Sequence, residues 1–302
     1  MINHANTGIL LVAHGTVSDL AELPAFVARI RHGRPPPPGL VAELQHRYQA
    51  IGGSPLLRVT EEQARALEAL TGLPVLLGMR LWDPSVETAF REAARRELRR
   101  LVLVPLAPFS VSVYGAAARR SLEAVRAELG VNAPELVVCE PWGTEPAFVE
   151  AQCSALSAHL RVDSRQNVVM LTAHSLPSVA IRAGDRYQAE VEASAHAIAA
   201  RLGRQCELAY QSQGADGGEW LGPDLRQTFE RLAHDGVRQI TLSPFGFLAD
   251  HVETLYDLDI EARQWTDALG LGFERVPALN TAPGLIQALA NVAGRALEAA
   301  HG

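Results

Sequence analysis

Two short apolar runs constrain the architecture of this chain more than any other feature. LLVAHGT at residues 10–16 and VMLTAHSLP at residues 169–177 lie about half a chain apart, and each carries Ala-His at its end. A second pair echoes in the same order. RRLVLVPLAPFSVSVY at residues 99–114 and RQITLSPFGFLADHVETLY at residues 238–256 each give an apolar run, a proline break and a helical pattern. Runs this short and this continuously apolar fit strands buried on both faces. Helical segments separate them, and strands alternating with helices imply a parallel sheet covered on both sides. The sequence therefore predicts an α/β protein built by internal duplication. It would have two Rossmann-like, doubly wound parallel-sheet domains, residues 1–150 and 151–302, with a cleft between them. In such sheets functional groups gather at the carboxyl ends of the strands. That position singles out His14, His174 and the segment after residue 243.

In chain order, the first half predicts strands at residues 8–13, 75–78, 101–105 and 136–139, and the second at 167–172, 206–211 and 239–243. Helices are expected at 17–30, 40–51, 61–70 and 86–100, and from the loop 106–114 through Leu129, where Gly130 is placed to stop the helix. The second half carries helices at 189–202 and 223–235 and a closing amphipathic one at 285–300 that is expected to pack back on the first half. Prolines at 35–38 follow Arg31-His32-Gly33-Arg34 and forbid helix there. They predict an extended excursion at the lip of a pocket.

With 302 residues, 48% of them hydrophobic, the chain has enough apolar material for a substantial core. Its net charge of −7 without a basic stripe argues against a nucleic-acid partner. Cys139, Cys153 and Cys206 are widely spaced with no C-x-x-C, the pattern of a reduced cytoplasmic protein without a disulfide framework or zinc ribbon. MINHANTG at the start has neither a basic region nor an apolar run and does not read as a signal peptide. The apolar run at 101–113 is interrupted by Pro105 and Pro108 and is too short to be a transmembrane segment. We expect a cytoplasmic monomer with at most weak peripheral membrane contact. The phosphate loops G-x-x-x-x-G-K and G-x-G-x-x-G are both absent.

Residues 241–262, TLSPFGFLADHVETLYDLDIEA, run from a strand through a break at Pro244 and Gly246 into a helix. Asp250 reads as the N-cap, with Glu253 three residues on as in a capping box. That leaves Asp257 and Glu261 unexplained. Glu253, Asp257 and Glu261 recur every four residues, so an α-helix would carry them as one acidic stripe drifting about 40° per step. Like charges at this spacing cost a few tenths of a kcal/mol per pair. A divalent cation, or protons in transit, would turn that cost into a gain, and His251 adds a nitrogen donor beside the stripe. The competing reading is a solvated helix face, just as a hydrogen-bonded structural role competes for His174. The residues alone leave both open.

The same stretch closely resembles the GF-x-x-DH-x-ETLY-x-x-DIE signature of ferrochelatases, which insert ferrous iron into a porphyrin. Other blocks follow in order across both halves. IRHGRPPPPGLVAELQHRYQAIGGSPLL at 30–57 resembles I-R-x-G-R with RY-x-x-IGG-SPL, although its IGGSPL is one residue shorter than the usual form. LGMR at 77–80 resembles a turn beside the pocket, TAHSLP at 172–177 the S-AHSLP motif, and QSQG with EWLGPD at 211–224 the QS-x-G…WLGPD motif. The resemblance implies a chelatase-like fold around a porphyrin cleft. Ferrous iron would be a substrate, and no cofactor would be required for catalysis. Some family members hold an iron–sulfur cluster with cysteines in a C-terminal extension. No such cysteines stand at this end, so we expect no cluster.

By the same resemblance His174 is the base that takes pyrrole protons, and Glu253 is the acid facing it across the metal. Asp257 and Glu261 continue as a metal feed or proton exit. Arg31, Arg47, Ser54 and Tyr114 match positions that bind propionates in the Gram-positive type, whose substrate is coproporphyrin III. Trp220, in the WLGPD block, is assigned to the same porphyrin pocket. SVSVY at 110–114 is closer to that type's SVQSY than to the SCSTTG of mitochondrial enzymes, and RHGRPPPP replaces the mitochondrial hydrophobic lip. Both features favour coproporphyrin III over protoporphyrin IX. The chain departs at His14, where the Gram-positive pattern has Tyr. A neutral imidazole there is expected to line the porphyrin on the face opposite His174 and to ligate iron in the product. LLVAHGT is also reminiscent of the small sirohydrochlorin chelatases, where such a histidine is catalytic, so His14 is also a candidate to share the base role. A cobalt–sirohydrochlorin chelatase and a non-catalytic haem-binding protein on the same cleft are the competing functions.

Overall fold

The computed structural model describes residues 6–160, 166–214 and 217–300. It contains two parallel sheets, each of four strands. The first is formed by β1 (Thr7–Ala13), β2 (Val75–Met79), β3 (Arg100–Pro105) and β4 (Glu135–Val138), in the order β2-β1-β3-β4. The second is formed by β5 (Asn167–His174), β6 (Cys206–Gln211), β7 (Gln239–Ser243) and β8 (Gly272–Arg275), in the order β6-β5-β7-β8. The halves repeat one topology, so β1 and β5 are equivalent central strands. His14 follows the last residue of β1, and His174 is the last residue of β5.

Helices of the first lobe are α1 (Leu23–Ile30), α2 (Leu40–Ala50), α3 (Leu56–Thr71), α4 (Val86–Arg95) and α5 (Val111–Leu129). Next comes α6 (Pro146–His159), followed in the second lobe by α7 (Ser178–Arg182), α8 (Tyr187–Leu202) and α9 (Leu225–His234). After β7 the chain forms α10 (Val252–Leu255), a π-helix (Asp257–Ala262) and α11 (Arg263–Ala268), and α12 (Pro283–Ala299) closes the fold. The last helix covers the first sheet. Leu285 and Leu289 of α12 join Ile9, Leu11, Val102 and Val104 in one buried cluster. Each fully buried leucine contributes about 1.5–3 kcal/mol. None of the described helices is long and apolar enough to cross a membrane.

Several expected boundaries move. The helix expected at 17–30 starts only at Leu23, after a short 3-10 turn at Leu20–Glu22 that Asp19 caps. The helix expected at 86–100 ends at Arg95, because Glu97 takes a positive φ of 57° and turns the chain into β3. The helix α6, the short α7 and the edge strand β8 were not foreseen. Pro146 sits at the start of α6, where a missing N–H costs nothing. β8 has only 4 residues, mostly half-buried, too few for the alternation that marks a strand.

Candidate active site

The ends of β1 and β5 and the turn after β7 bring the key groups together. On the first lobe, Gly15 follows His14 with φ +110°, and a Cβ there would come 3.0 Å from the Trp82 nitrogen. Glycine is therefore required for the turn that leaves the His14 ring exposed. On the second lobe, Gly246 passes 2.9 Å, measured from a notional Cβ, from Ala173 Cα, and its N–H donates to Thr172 O. This close approach lays the turn after β7 directly against the end of β5, beside His174.

The expected cap of the acidic helix is corrected. Asp250 does not cap it. Its carboxylate accepts from Arg275 at 2.8 Å and from Asn280 at 2.9 Å, and its N–H donates to Asn280 Oδ1. His251 is the N-cap residue, and its N–H donates to Thr254 Oγ1 at 2.9 Å. Arg275 also grips Asp259, so β8 ties the turn before α10 to the π-helix after it. Glu253 sits in the first turn and is not a cap partner.

The stripe does not lie on a regular α-helix. From Asp257 the chain widens to π geometry, and the N–H of Glu261 donates to Tyr256 O five residues back. An α turn holds fewer than four residues and a π turn more. A four-residue step therefore overshoots a full turn in the first and falls short in the second. The two drifts oppose one another, and the acids keep to one side.

His174 Nε2 lies 3.6 Å from Glu253 Oε1, and His251 Nε2 lies 3.4 Å from Glu253 Oε2. The tautomers follow from the other ring nitrogens. His174 Nδ1 is 2.5 Å from Ser175 O, and His251 Nδ1 is 3.2 Å from Ala249 O. A carbonyl oxygen can only accept, so both Nδ1 atoms carry hydrogen. When the rings are neutral, both Nε2 lone pairs face the carboxylate. Electron pairs converge on that point, an arrangement that attracts a proton.

The electrostatics agree with this geometry. Burial alone would lower the pKa of His174, but the Glu253 charge and the Ser175 carbonyl outweigh it and raise it. Burial would raise Glu253, but His174 and His251 hold it well below the ordinary carboxylate range. Both side chains remain about one-third exposed. His14 faces the same charges from the first lobe. Desolvation by the neighbouring protein lowers its pKa to about 4, against the pull of Glu253 and with the help of Arg80. The residue is exposed, and its ring is neutral at pH 7.

Farther along the stripe, Asp257 is buried. Its pKa is pushed up to about 6 by burial and by Glu253, against the hydrogen bond from Ser212 Oγ at 2.5 Å and the Arg47 charge. Arg47 is placed differently from the propionate expectation. Its guanidinium donates to Asp257 at 2.8 Å, reaches Glu261 at 3.5 Å and holds Glu43 through Nε. A cavity of about 220 Å³ opens beside Arg47, Asp257 and Glu261, with Trp265 and Arg226 also in its lining. Among the described residues, no three His, Cys, Asp or Glu side chains converge as a ready metal cage, so the expected set of His14, His174, Glu253, Asp257 and Glu261 is not gathered around one point.

The remaining expected contacts are dispersed. Tyr114 stands under Arg80, whose guanidinium carbon is 5.6 Å from the ring centre. Arg31 donates to Pro35 O at 3.1 Å, in the proline loop. Ser54 Oγ accepts the Leu56 N–H at the start of α3. Trp220 pairs with Pro177, three residues past His174, in an isolated antiparallel bridge. Sequence reasoning missed Ser212, whose φ of 58° aims its hydroxyl at Asp257, and Gln211, whose Nε2 donates to Glu253 O at 2.8 Å. Both lie in the QSQG block, but only the fold reveals their targets.

The family model described as Ferrochelatase matches residues 6–297. The chain is 35% identical over 314 residues to the ferrochelatase of Acidobacterium capsulatum, covering 96% of this chain and 94% of that one. It is 35% identical over 303 residues to the coproporphyrin III ferrochelatase of Anoxybacillus flavithermus, with 94% of each covered. Among solved structures, SirB from Bacillus subtilis with Fe3+ superposes with a TM-score of 0.62 at 15% identity, covering 98% of this chain and 97% of that one. At that identity the likeness shows the shared fold alone.

Proposed function

The chain belongs to the ferrochelatase family, and from that premise we propose that it inserts ferrous iron into coproporphyrin III with His174 and Glu253 at the reacting centre. Iron insertion requires that two pyrrole protons leave and that the hydrated ion be stripped and delivered. The observation that carries the proposal is the convergence of His174 Nε2, His251 Nε2 and the Glu253 carboxylate.

In this reading the ring lies in the slot between the lobes. His174 Nε2 takes a pyrrole proton, since its Nδ1 is already committed to Ser175 O. Glu253 stabilises the imidazolium and passes the proton toward Asp257, whose pKa of about 6 suits it to hold a proton near neutrality. Asp257 and Glu261 serve as proton exit or metal feed, with Arg47 as their counter-ion until a cation arrives. His14 stays neutral and offers a nitrogen ligand from the opposite wall.

Coproporphyrin III carries more carboxylates than protoporphyrin IX and calls for more cationic contacts. Arg31 and the Arg80–Tyr114 pair are assigned to them, with Ser54 and Trp220 completing the pocket. Several relatives at about 35% identity bear the name coproporphyrin III ferrochelatase. No cofactor is required in this scheme, and we propose that no iron–sulfur cluster forms. Burial pushes the Cys139 thiol up to about 12 and the Cys206 thiol up to about 11, so neither offers a ready thiolate. The test is anaerobic metallation of each porphyrin with ferrous iron, followed at the Soret band. Faster turnover of coproporphyrin III supports the proposal. Preference for protoporphyrin IX, or a stoichiometric shift without turnover, contradicts it.

A further inference from the structure

We propose that Asp185 and Glu190 are positioning residues: together they clamp the start of α5 and set the width of the slot between Tyr114 and His174. The inference rests on the reading of that slot as the porphyrin site.

The clamp is centred on Ser110. This residue precedes the 19-residue helix α5 with φ 50° and ψ 37°, a left-handed conformation that a side chain disfavours. A serine at this place normally caps its own helix, but Ser110 makes no side-chain cap bond. Its hydroxyl turns to the second lobe and donates to Asp185 Oδ1 at 3.2 Å, and its N–H donates to Glu190 Oε2 at 2.8 Å. Two carboxylates of one lobe thus meet the positive end of a long helix of the other. The preceding residue, Phe109, enters the core of the second lobe. Its ring lies 5.9 Å from Tyr187 and 5.7 Å from Phe245.

The same turn reaches the reacting centre from behind. Asp185 Oδ1 also accepts the Tyr187 N–H at 2.9 Å, and the Tyr187 hydroxyl donates to His174 O at 2.8 Å. One turn into α5, Tyr114 stands on the first-lobe wall against Arg80. The clamp therefore joins the wall that carries Tyr114 to the strand end that carries His174. Strained backbone persists only where its surroundings over-determine it, and here the determinants come from the opposite lobe. Releasing them lets the α5 wall relax away from His174, and a wider slot grips the porphyrin without distorting it.

The test uses the full chain with zinc and coproporphyrin III. Turnover is read by fluorescence, and ring distortion by the out-of-plane resonance Raman modes of the bound porphyrin. Glu190→Ala is expected to lower kcat by about tenfold to a hundredfold, with KM for the porphyrin nearly unchanged, and to weaken the out-of-plane bands. Glu190→Gln should recover most of both, since its amide oxygen still accepts the Ser110 N–H. Ser110→Gly relaxes the backbone and removes the hydroxyl, and it serves if Glu190→Ala does not fold. It should fall between. Glu192→Ala, on the same helix, should behave as the unaltered chain. The clamp is overturned if Glu190→Ala and Ser110→Gly keep normal kcat and Raman bands, or if their losses follow thermal stability alone. Absence of out-of-plane bands in the unaltered chain overturns the clamp together with the slot assignment.

Discussion

His174 Nε2 stands 3.6 Å from Glu253 Oε1, close enough for charge to couple the two and longer than a strong hydrogen bond. The approach is made by strand ends and turns from one lobe, with Gly246 permitting the contact. A pair held at this separation stabilises an imidazolium without locking its proton.

The pair makes stability and protonation depend on pH in a defined direction. His174 is raised above its ordinary 6.5 by Glu253 after burial is overcome. Its stabilising share is complete below pH 6.5 and is lost as pH rises through the raised folded-state value. His14 behaves oppositely. Folding lowers it to about 4, so the unfolded chain binds the proton first and stability declines as pH falls from 6.5 to about 4. Histidine NMR titrations should place His174 above 6.5 and His14 far below it, and Glu253→Gln should drop His174. An unmoved His174 in that variant contradicts the coupling.

Arg47 neutralises the outer stripe in the resting chain. Arg47→Ala leaves Asp257 and Glu261 without a cation, and stability should fall by about 1–3 kcal/mol. Manganese or magnesium should restore more melting temperature to this variant than to the unaltered chain. Equal cation effects on both would contradict the counter-ion role.

His14 is neutral at physiological pH and exposed. The complex with the iron porphyrin product should show nitrogen axial-ligand bands in its optical spectrum, lost in His14→Ala. Bands unchanged by the substitution exclude His14 as the ligand.

Gly246→Ala would push a methyl group to 2.9 Å from Ala173 Cα. The turn must shift, at a cost of about 1–3 kcal/mol, and His174 shifts with the end of β5. Turnover should fall by more than the loss of folded protein explains, as measured by kcat alongside thermal melting. A normal kcat would show that this packing does not set the base.

Much of the fold was legible because β1, β3 and β5 carry apolar runs and the two halves repeat. The short edge strand β8 and the linking helix α6 lacked such a pattern. His174 and Glu253 were legible from their motifs, and their meeting needed only the strand-end rule. Arg47 was not. Two of its three carboxylate partners lie 210 and 214 residues away, and no local pattern tells an arginine awaiting a carboxylate ligand from one already holding them. The cap at Asp250 was misjudged for a similar reason, since Arg275 and Asn280 hold it from beyond β7. The π turn was hidden because the four-residue spacing of the acids fits an α-helix equally well.

The most direct measurement is anaerobic single-turnover insertion of ferrous iron into coproporphyrin III by the unaltered chain, Glu253→Gln and His174→Ala, with porphyrin affinity measured in parallel. The account predicts that each variant binds the porphyrin nearly as well as the unaltered chain and inserts iron about 10²–10⁴-fold more slowly. Insertion at the normal rate by either variant would contradict the assignment of the pyrrole protons to this pair.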